Sequence, residues 1–214
     1  MRLPTISVIT PAHPARLTGG MLTRALHSAH GQTLPPDAIH VAIDRNREGA
    51  AATRQRALMA ASTDWVAFLD SDDMWLPQHL ERCMKWALET DADFVYPWFR
   101  LLAIRANGSV QDYGDEDPIF PPGHFLNPFN PDDPIETTIT TLVKRELAQE
   151  VGFQELNRGE SNTGEDAYFT LECLRRGAHI THLVERTWYW VHHEYSPGVP
   201  GNTSGRPTRG DAVA

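Results

Sequence analysis

Apolar positions in the first hundred residues alternate between short continuous runs and helix-like spacing. Thr5-Ile6-Ser7-Val8-Ile9-Thr10 is rich in β-branched residues and predicts a strand that stops at Pro11. From Leu17 to His30, apolar residues fall at Met21, Leu22, Ala25, Leu26 and Ala29, the spacing of one helical face, and Gly31 can end that helix. Ala38 to Ile43 predicts a second strand that ends at Asp44, and Glu48 to Ala61, rich in Ala, Arg, Leu and Met, a second helix. Trp65 to Leu69 predicts a third strand that ends at Asp70. Pro77 to Thr90 predicts a third helix, with Leu80, Cys83, Met84, Ala87 and Leu88 on one face and Pro77 suited to the first turn. Phe94-Val95-Tyr96 opens a fourth strand. This alternation implies an α/β domain with a mixed, mainly parallel sheet flanked by helices.

The pattern changes near residue 105. Asn107-Gly108 is a hairpin signal. Residues 112–134 hold many prolines and acids, with Phe120, Phe125 and Phe129 among them, and read as a long functional or mobile loop. A Thr-rich stretch then leads to a short helix, Arg145 to Glu150, closed by Gly152. Glu165 to Arg176 predicts a further helix, and His179 to Val184 and Thr187 to Val191 two more strands. From Ser196 the chain is mostly Pro, Gly, Thr and Ser, too polar to pack a core. The expected organisation is one domain over residues 1–195 and a tail over 196–214, either mobile or a lid.

Length and composition narrow the class. The 214 residues suit one domain with an ordinary core, being 41% hydrophobic and 22% charged. Asp and Glu number 28 against 19 Lys and Arg, so the net charge of −9 disfavours a nucleic-acid partner. No apolar run is long enough to span a membrane, and Met1 to Thr10 does not resemble a signal peptide. Cys83 and Cys173 fall on apolar helix positions, which suits buried thiols in a reducing compartment; a single long-range disulfide is the alternative. The expected location is cytoplasmic.

The candidate chemistry begins with Asp70-Ser71-Asp72-Asp73, three carboxylates crowded after a buried-looking strand. Like charges this close are eased by a cation, and Mg²⁺ or Mn²⁺ takes oxygen ligands of this kind together with substrate phosphates. In an open α/β sheet this loop opens onto the ligand crevice at the carboxyl ends of the strands, as does Asp44. The plainer reading is a solvated acidic turn in which Asp72 or Asp73 caps the helix near Pro77. Gly164-Glu165-Asp166 places two acids in a first helical turn, either as favourable partners of the helix dipole or as a general base. His192 and His193 are adjacent on an extended segment and point to opposite sides, so one of them could face a site. Arg54, between Asp44 and Asp70, is a solvated helix residue or a ligand for a diphosphate or a uracil carbonyl.

These elements occur in one order, and in that order the chain resembles the family 2 glycosyltransferases, which have the GT-A fold. The resemblance rests on Ile6-Ser7-Val8-Ile9-Thr10-Pro11, Asp44, Ala52 to Leu58, Trp65 to Asp73, Leu142 to Phe153 and Gly164-Glu165-Asp166, and covers about residues 5–193. It implies a metal-dependent inverting transfer from a nucleotide-diphosphate sugar to an acceptor hydroxyl. By the same resemblance Thr10, Pro11, Asp44, Arg54 and Asp70 would bind the nucleotide. Asp72 would hold Mn²⁺ or Mg²⁺ with His193, and Asp166 would be the general base. Asp73, Glu165 and His192 are secondary candidates.

The sequence departs from the family at several points. Asp44 is followed by Arg45-Asn46-Arg47 where two acids, Gly and Ser are common. Thr53-Arg54-Gln55 replaces Ala-Arg-Asn, and Ala12-His13-Pro14 lacks a Tyr-Asn pair. The expected nucleotide is UDP, with GDP second. The acceptor is a glycan, a lipid-linked sugar, a small molecule or a protein, contacted from segment 112–134. Gly201-Asn202-Thr203-Ser204-Gly205 is a candidate lid element. A sugar nucleotidyltransferase and a non-catalytic nucleotide-sugar-binding module of the same fold are the alternatives. The first of these usually carries a Gly-rich loop after the first strand, where this chain has Pro11-Ala12-His13-Pro14.

Overall fold

The structure is a computed structural model and describes residues 4–17, 20–105, 107–115, 139–154 and 164–193. Among these residues one sheet holds eight strands, in the order β2-β1-β3-β7-β5-β8-β4, with β6 on the edge of β5. The central strand β1 (Ile6–Ala12) is buried at every position, as expected of a strand covered on both faces. It pairs in parallel with β2 (Ala38–Ile43) and β3 (Trp65–Phe68). β7 (Leu142–Lys144) inserts antiparallel between β3 and β5 (Phe94–Ile104), and β8 (Ile180–His193) runs parallel to β5. β1, β2, β3, β5 and β8 therefore share one direction, while β7, β6 (Val110–Asp112) and β4 (Met74–Trp75) run against it.

β1 continues through Pro11 to Ala12, beyond the expected stop. Pairing of β1 with β3 ends at Ile9 and Phe68. The period-2 alternation turns the Pro11 nitrogen toward the side that β3 has left, so no ladder hydrogen bond is lost there.

The helices start later than their apolar spacing suggests. α1 is Met21–His30, preceded by Gly20 at φ 75°, and Leu17 lies outside it after a 3-10 turn at Pro14–Arg16. α2 is Ala50–Leu58, because Arg47 (φ 59°) and Gly49 (φ 93°) bend the chain before it. α3 is His79–Thr90, so Pro77 lies outside it rather than in its first turn. α4 (Arg145–Val151) and α5 (Glu165–Arg175) fall within a residue of expectation. The two strands expected at 179–191 are one. The polar Glu185-Arg186 step is absorbed as a register shift against Pro97 and Trp98, with Val184 turned outward and exposed. β4 was not foreseen, since two residues carry no period.

Each face of the sheet has its own core. α1 and α3 bury Ala25, Ala29, Leu80, Cys83 and Met84 on one face. α2, α4 and α5 bury Ala57, Leu58, Ala148, Val151, Phe169 and Cys173 on the other. Cys83 and Cys173 are free thiols in opposite cores, and burial pushes both thiol pKa values up. No helix among the described residues is long and apolar enough to cross a membrane.

Candidate active site

The carboxyl ends of β1, β2 and β3 open into a cleft of about 280 Å³, whose lining includes Pro11, His13, Arg16, Asp44, Thr53, Arg54, Asp70, Asp72 and Glu165. Four separate segments thus bring their polar residues to one place, at the end of the sheet where an α/β fold binds ligands.

Asp44 is buried where β2 ends. Its carboxylate accepts from the Glu48 N–H at 2.7 Å and the Gly49 N–H at 3.1 Å. The Glu48 hydrogen bond, against opposing burial, holds its pKa below the usual carboxylate range. These bonds set the path of the chain into α2 and therefore the placement of Arg54.

Arg54 projects from α2 and is only 3% exposed. Its Nη2 donates to Asp70 Oδ1 at 2.9 Å, and its Nη1 lies 3.4 Å from Glu165 Oε1. Its guanidinium also sits over the Phe153 ring, 5.2 Å from the centroid. Burial works against this charge, but Asp70 and then Glu165 outweigh it and raise the Arg54 pKa. Phe153 stacks on Phe169 of α5 at 4.4 Å and meets Phe68 of β3 edge-on at 5.2 Å. The aromatic packing and the ion pairs together fix α5 against the loop after β3.

That loop splits its acids three ways. Asp70 faces Arg54. Asp72 pairs with Arg16 from the 3-10 turn after β1. Burial and then the charge of Asp70 raise the Asp72 pKa, with Arg16 opposing. Asp73 is not on the cleft: it is 5% exposed and accepts from the Val191 N–H of β8 at 2.8 Å. Burial followed by repulsion from Asp72 pushes its pKa well up. Neither Asp72 nor Asp73 caps α3, whose N-cap is Gln78 without a side-chain hydrogen bond. The capping alternative therefore fails, because Asp72 and Asp73 already bind Arg16 and Val191.

Glu165 and Asp166 form the first turn of α5. Glu165 reaches the cleft, whereas Asp166 is not among its lining residues. Asp166 Oδ1 accepts from the Ala167 N–H at 2.9 Å. A helix N-terminus ordinarily lowers a carboxyl pKa. Here burial wins and pushes Asp166 up to about 6, the range of a general base near neutral pH. A Cβ on Gly164 would stand 2.6 Å from Asp166 Oδ1, so glycine leaves room for the carboxylate.

Thr10 is fully buried in β1 beside the cleft rather than on it, and its hydroxyl finds no hydrogen-bond partner among the described residues. His192 is 4% exposed with its ring edge-on to Trp190, and it is not among the cleft's lining residues. The His193 side chain, segment 116–138 and the tail from 194 lie outside the described residues. The Asp73–Val191 bond nevertheless ties the strand that carries both histidines to the acidic loop. No group of three or more His, Cys, Asp or Glu side chains suited to one metal ion occurs among the described residues. Arg16, His13 and Thr53 line the cleft without having been expected there. The available signal for Arg16 and His13 was position: they directly follow β1, at the same sheet edge as Asp44 and Asp70.

A curled, mixed α/β sheet with its acids at the carboxyl edge defines a GT-A-type fold. Residues 23–152 match Glycosyl transferase family 2, and the chain belongs to that family. It is 26% identical over 203 residues to TuaG of Bacillus subtilis (strain 168), a glycosyltransferase assigned to teichuronic acid biosynthesis, covering 81% of this chain and 73% of that protein. Over 55 residues, 26% of this chain and 22% of the other, it is 38% identical to WfgD of Escherichia coli, a UDP-Glc:alpha-D-GlcNAc-diphosphoundecaprenol beta-1,3-glucosyltransferase. Among solved structures it superposes on S. aureus TarS 1-349 with a TM-score of 0.63 at 19% identity, covering 87% of this chain and 60% of that one. The chain thus spans less than two thirds of that structure. TarS 1-349 has also been solved in complex with UDP and with UDP-GlcNAc. Membership of this family sets aside the nucleotidyltransferase alternative.

Proposed function

We propose that the chain transfers a sugar from a UDP-sugar to an acceptor hydroxyl with inversion at the anomeric carbon, assisted by Mn²⁺ or Mg²⁺. The observation that carries this reading is the convergence of Asp44, Arg54, Asp70, Asp72 and Glu165 on one cleft. UDP is preferred over GDP because the names of WfgD and of the TarS complexes carry UDP or UDP-sugars.

The donor chemistry of the cleft suits a hard cation. Asp70 and Asp72 offer carboxylate oxygens, and the raised pKa of Asp72 reflects a burial and a repulsion that a cation relieves. Asp72 would hold the ion, with Asp70 beside it and His193 as a further ligand. The ion would stabilise charge on the departing nucleoside diphosphate. Pro11, Asp44 and the Arg54–Asp70 pair would orient the nucleotide, with Thr10 supporting β1 beneath it.

Asp166 would take the proton of the acceptor hydroxyl while the oxygen attacks the anomeric carbon and the C–O bond to the diphosphate breaks. Inversion requires the base and the diphosphate on opposite sides of that carbon. A base on α5, separate from the loop after β3, permits this. The acceptor is a hydroxyl on a glycan, a lipid-linked sugar, a small molecule or a protein. The buried free thiols support a reducing compartment such as the cytoplasm.

The test is release of UDP from a panel of UDP-sugars with Mn²⁺, in water or with acceptors. We expect turnover with at least one donor, and loss of turnover in Asp166→Asn with UDP binding retained. Undiminished turnover in that variant would remove Asp166 from the role of base.

A further inference from the structure

The cleft is poorly charged for the ligand proposed for it. Asp44, Asp70, Asp72 and Glu165 contribute four carboxylates, against the guanidiniums of Arg16 and Arg54. A diphosphate approaching this surface needs a positive group that is free to turn toward it. Arg54 does not serve, being buried and already facing Asp70 and Glu165.

Arg16 differs in each respect. It stands on a 3-10 turn outside the core, and its side chain is 34% exposed. Among the described residues its one ion-pair partner is Asp72, and its only other side-chain hydrogen bond is a weak one to Met21 Sδ at 3.9 Å. A long side chain on an exposed turn reorients readily. Asp72, by contrast, has a constant need: half-buried and repelled by Asp70, it requires a cation whether or not a donor is bound.

We infer that Arg16 is an exchangeable counter-ion of the donor cleft. In the ligand-free chain its guanidinium neutralises Asp72. When the nucleoside diphosphate enters with a divalent ion, the ion takes over Asp72 and the released guanidinium turns to the diphosphate oxygens. Arginine suits this second partner, since its planar fork binds phosphate in a bidentate manner. The inference rests on the donor-cleft reading and adds a residue and a sequence of partners to it.

Calorimetry on the full chain tests the exchange with two separate probes, UDP in the presence of saturating Mn²⁺ and Mn²⁺ alone. In Arg16→Ala, UDP binding should weaken about tenfold or more, the scale of one lost charge-assisted contact. Mn²⁺ binding should tighten severalfold, because its competitor for Asp72 is gone. Arg16→Lys, which keeps the charge without the fork, should fall between wild type and Arg16→Ala for UDP. Opposite shifts in Arg16→Ala are the signature, since a misfolded variant would lose both ligands together. Any other pattern, whether both affinities unchanged or both weakened, overturns the exchange. A wild-type chain that binds no nucleoside diphosphate, with or without Mn²⁺, overturns the donor-cleft reading itself.

Discussion

Arg54 and Asp70 form the joint of the site: a guanidinium 3% exposed on α2 donates at 2.9 Å to a carboxylate on the loop after β3. The same guanidinium reaches Glu165 on α5, so one buried cation holds the loop after β3 and the first turn of α5 in register. Arg54→Ala leaves two facing acids without their counter-charge. Breaking a buried pair costs about 3–5 kcal/mol, and the partial exposure of both acids reduces this to about 2 kcal/mol here. Urea denaturation of wild type and variant measures it. Arg54→Lys, lacking the second arm of the fork, should recover only part of the loss.

As the proposed base, Asp166 would give the activity a pH dependence of definite sign. The base works only when unprotonated, and its carboxyl pKa is raised to about 6 chiefly by burial. Turnover should therefore be flat above about pH 7 and fall about tenfold per pH unit well below 6. Asp166→Asn should lower turnover by about 10²–10⁴ on the plateau above about pH 7 and abolish that limb, so that the difference narrows as the pH falls. Rates measured from pH 5 to 8 check both.

Gly164→Ala should impair catalysis more than stability. The backbone there, at φ −70°, suits any residue, so the chain itself is unstrained. The added Cβ would fall 2.6 Å from Asp166 Oδ1 and push the carboxylate aside. Displacing a catalytic group by about 1 Å can reduce turnover about 10²-fold. The thermal midpoint should stay within a few degrees of wild type.

Asp73 and Asp72 should separate cleanly. Asp73→Ala removes the acceptor of the Val191 N–H and should destabilise the fold by about 1–3 kcal/mol. Asp73→Asn keeps an acceptor oxygen and should restore most of that stability without altering any response to Mn²⁺. Thermal melts of the two variants with and without Mn²⁺ test this.

The legible part of the fold was the part built on periodic apolar runs. β1, β3 and the apolar faces of α1 and α3 follow from such runs, although Leu88 at the end of the α3 face is exposed; β2 is found where expected but, at the sheet edge, buries only Ala42. Element starts were less legible: Gly20, Arg47 and Gly49 adopt positive φ values that delay α1 and α2, and before α2 the hydrogen bonds to Asp44 decide this rather than propensity. The site was legible where an acid ends a strand, as at Asp44 and Asp70. Within the acidic triplet the spacing alone does not separate Asp72, which faces Arg16, from Asp73, which faces Val191; only the family resemblance ranks Asp72 first. That choice depends on β8, more than a hundred residues away. Arg16 escaped notice for the same reason, since its importance comes from a partner on another loop.

The proposal that this cleft holds a nucleoside diphosphate through a cation at Asp72 is tested most directly by the Mn²⁺ dependence of UDP affinity in wild type and Asp72→Ala. In wild type, Mn²⁺ should tighten UDP binding by about tenfold or more, and in Asp72→Ala that enhancement should vanish. Equal UDP affinity with and without Mn²⁺ in wild type, or an enhancement that survives Asp72→Ala, would contradict it.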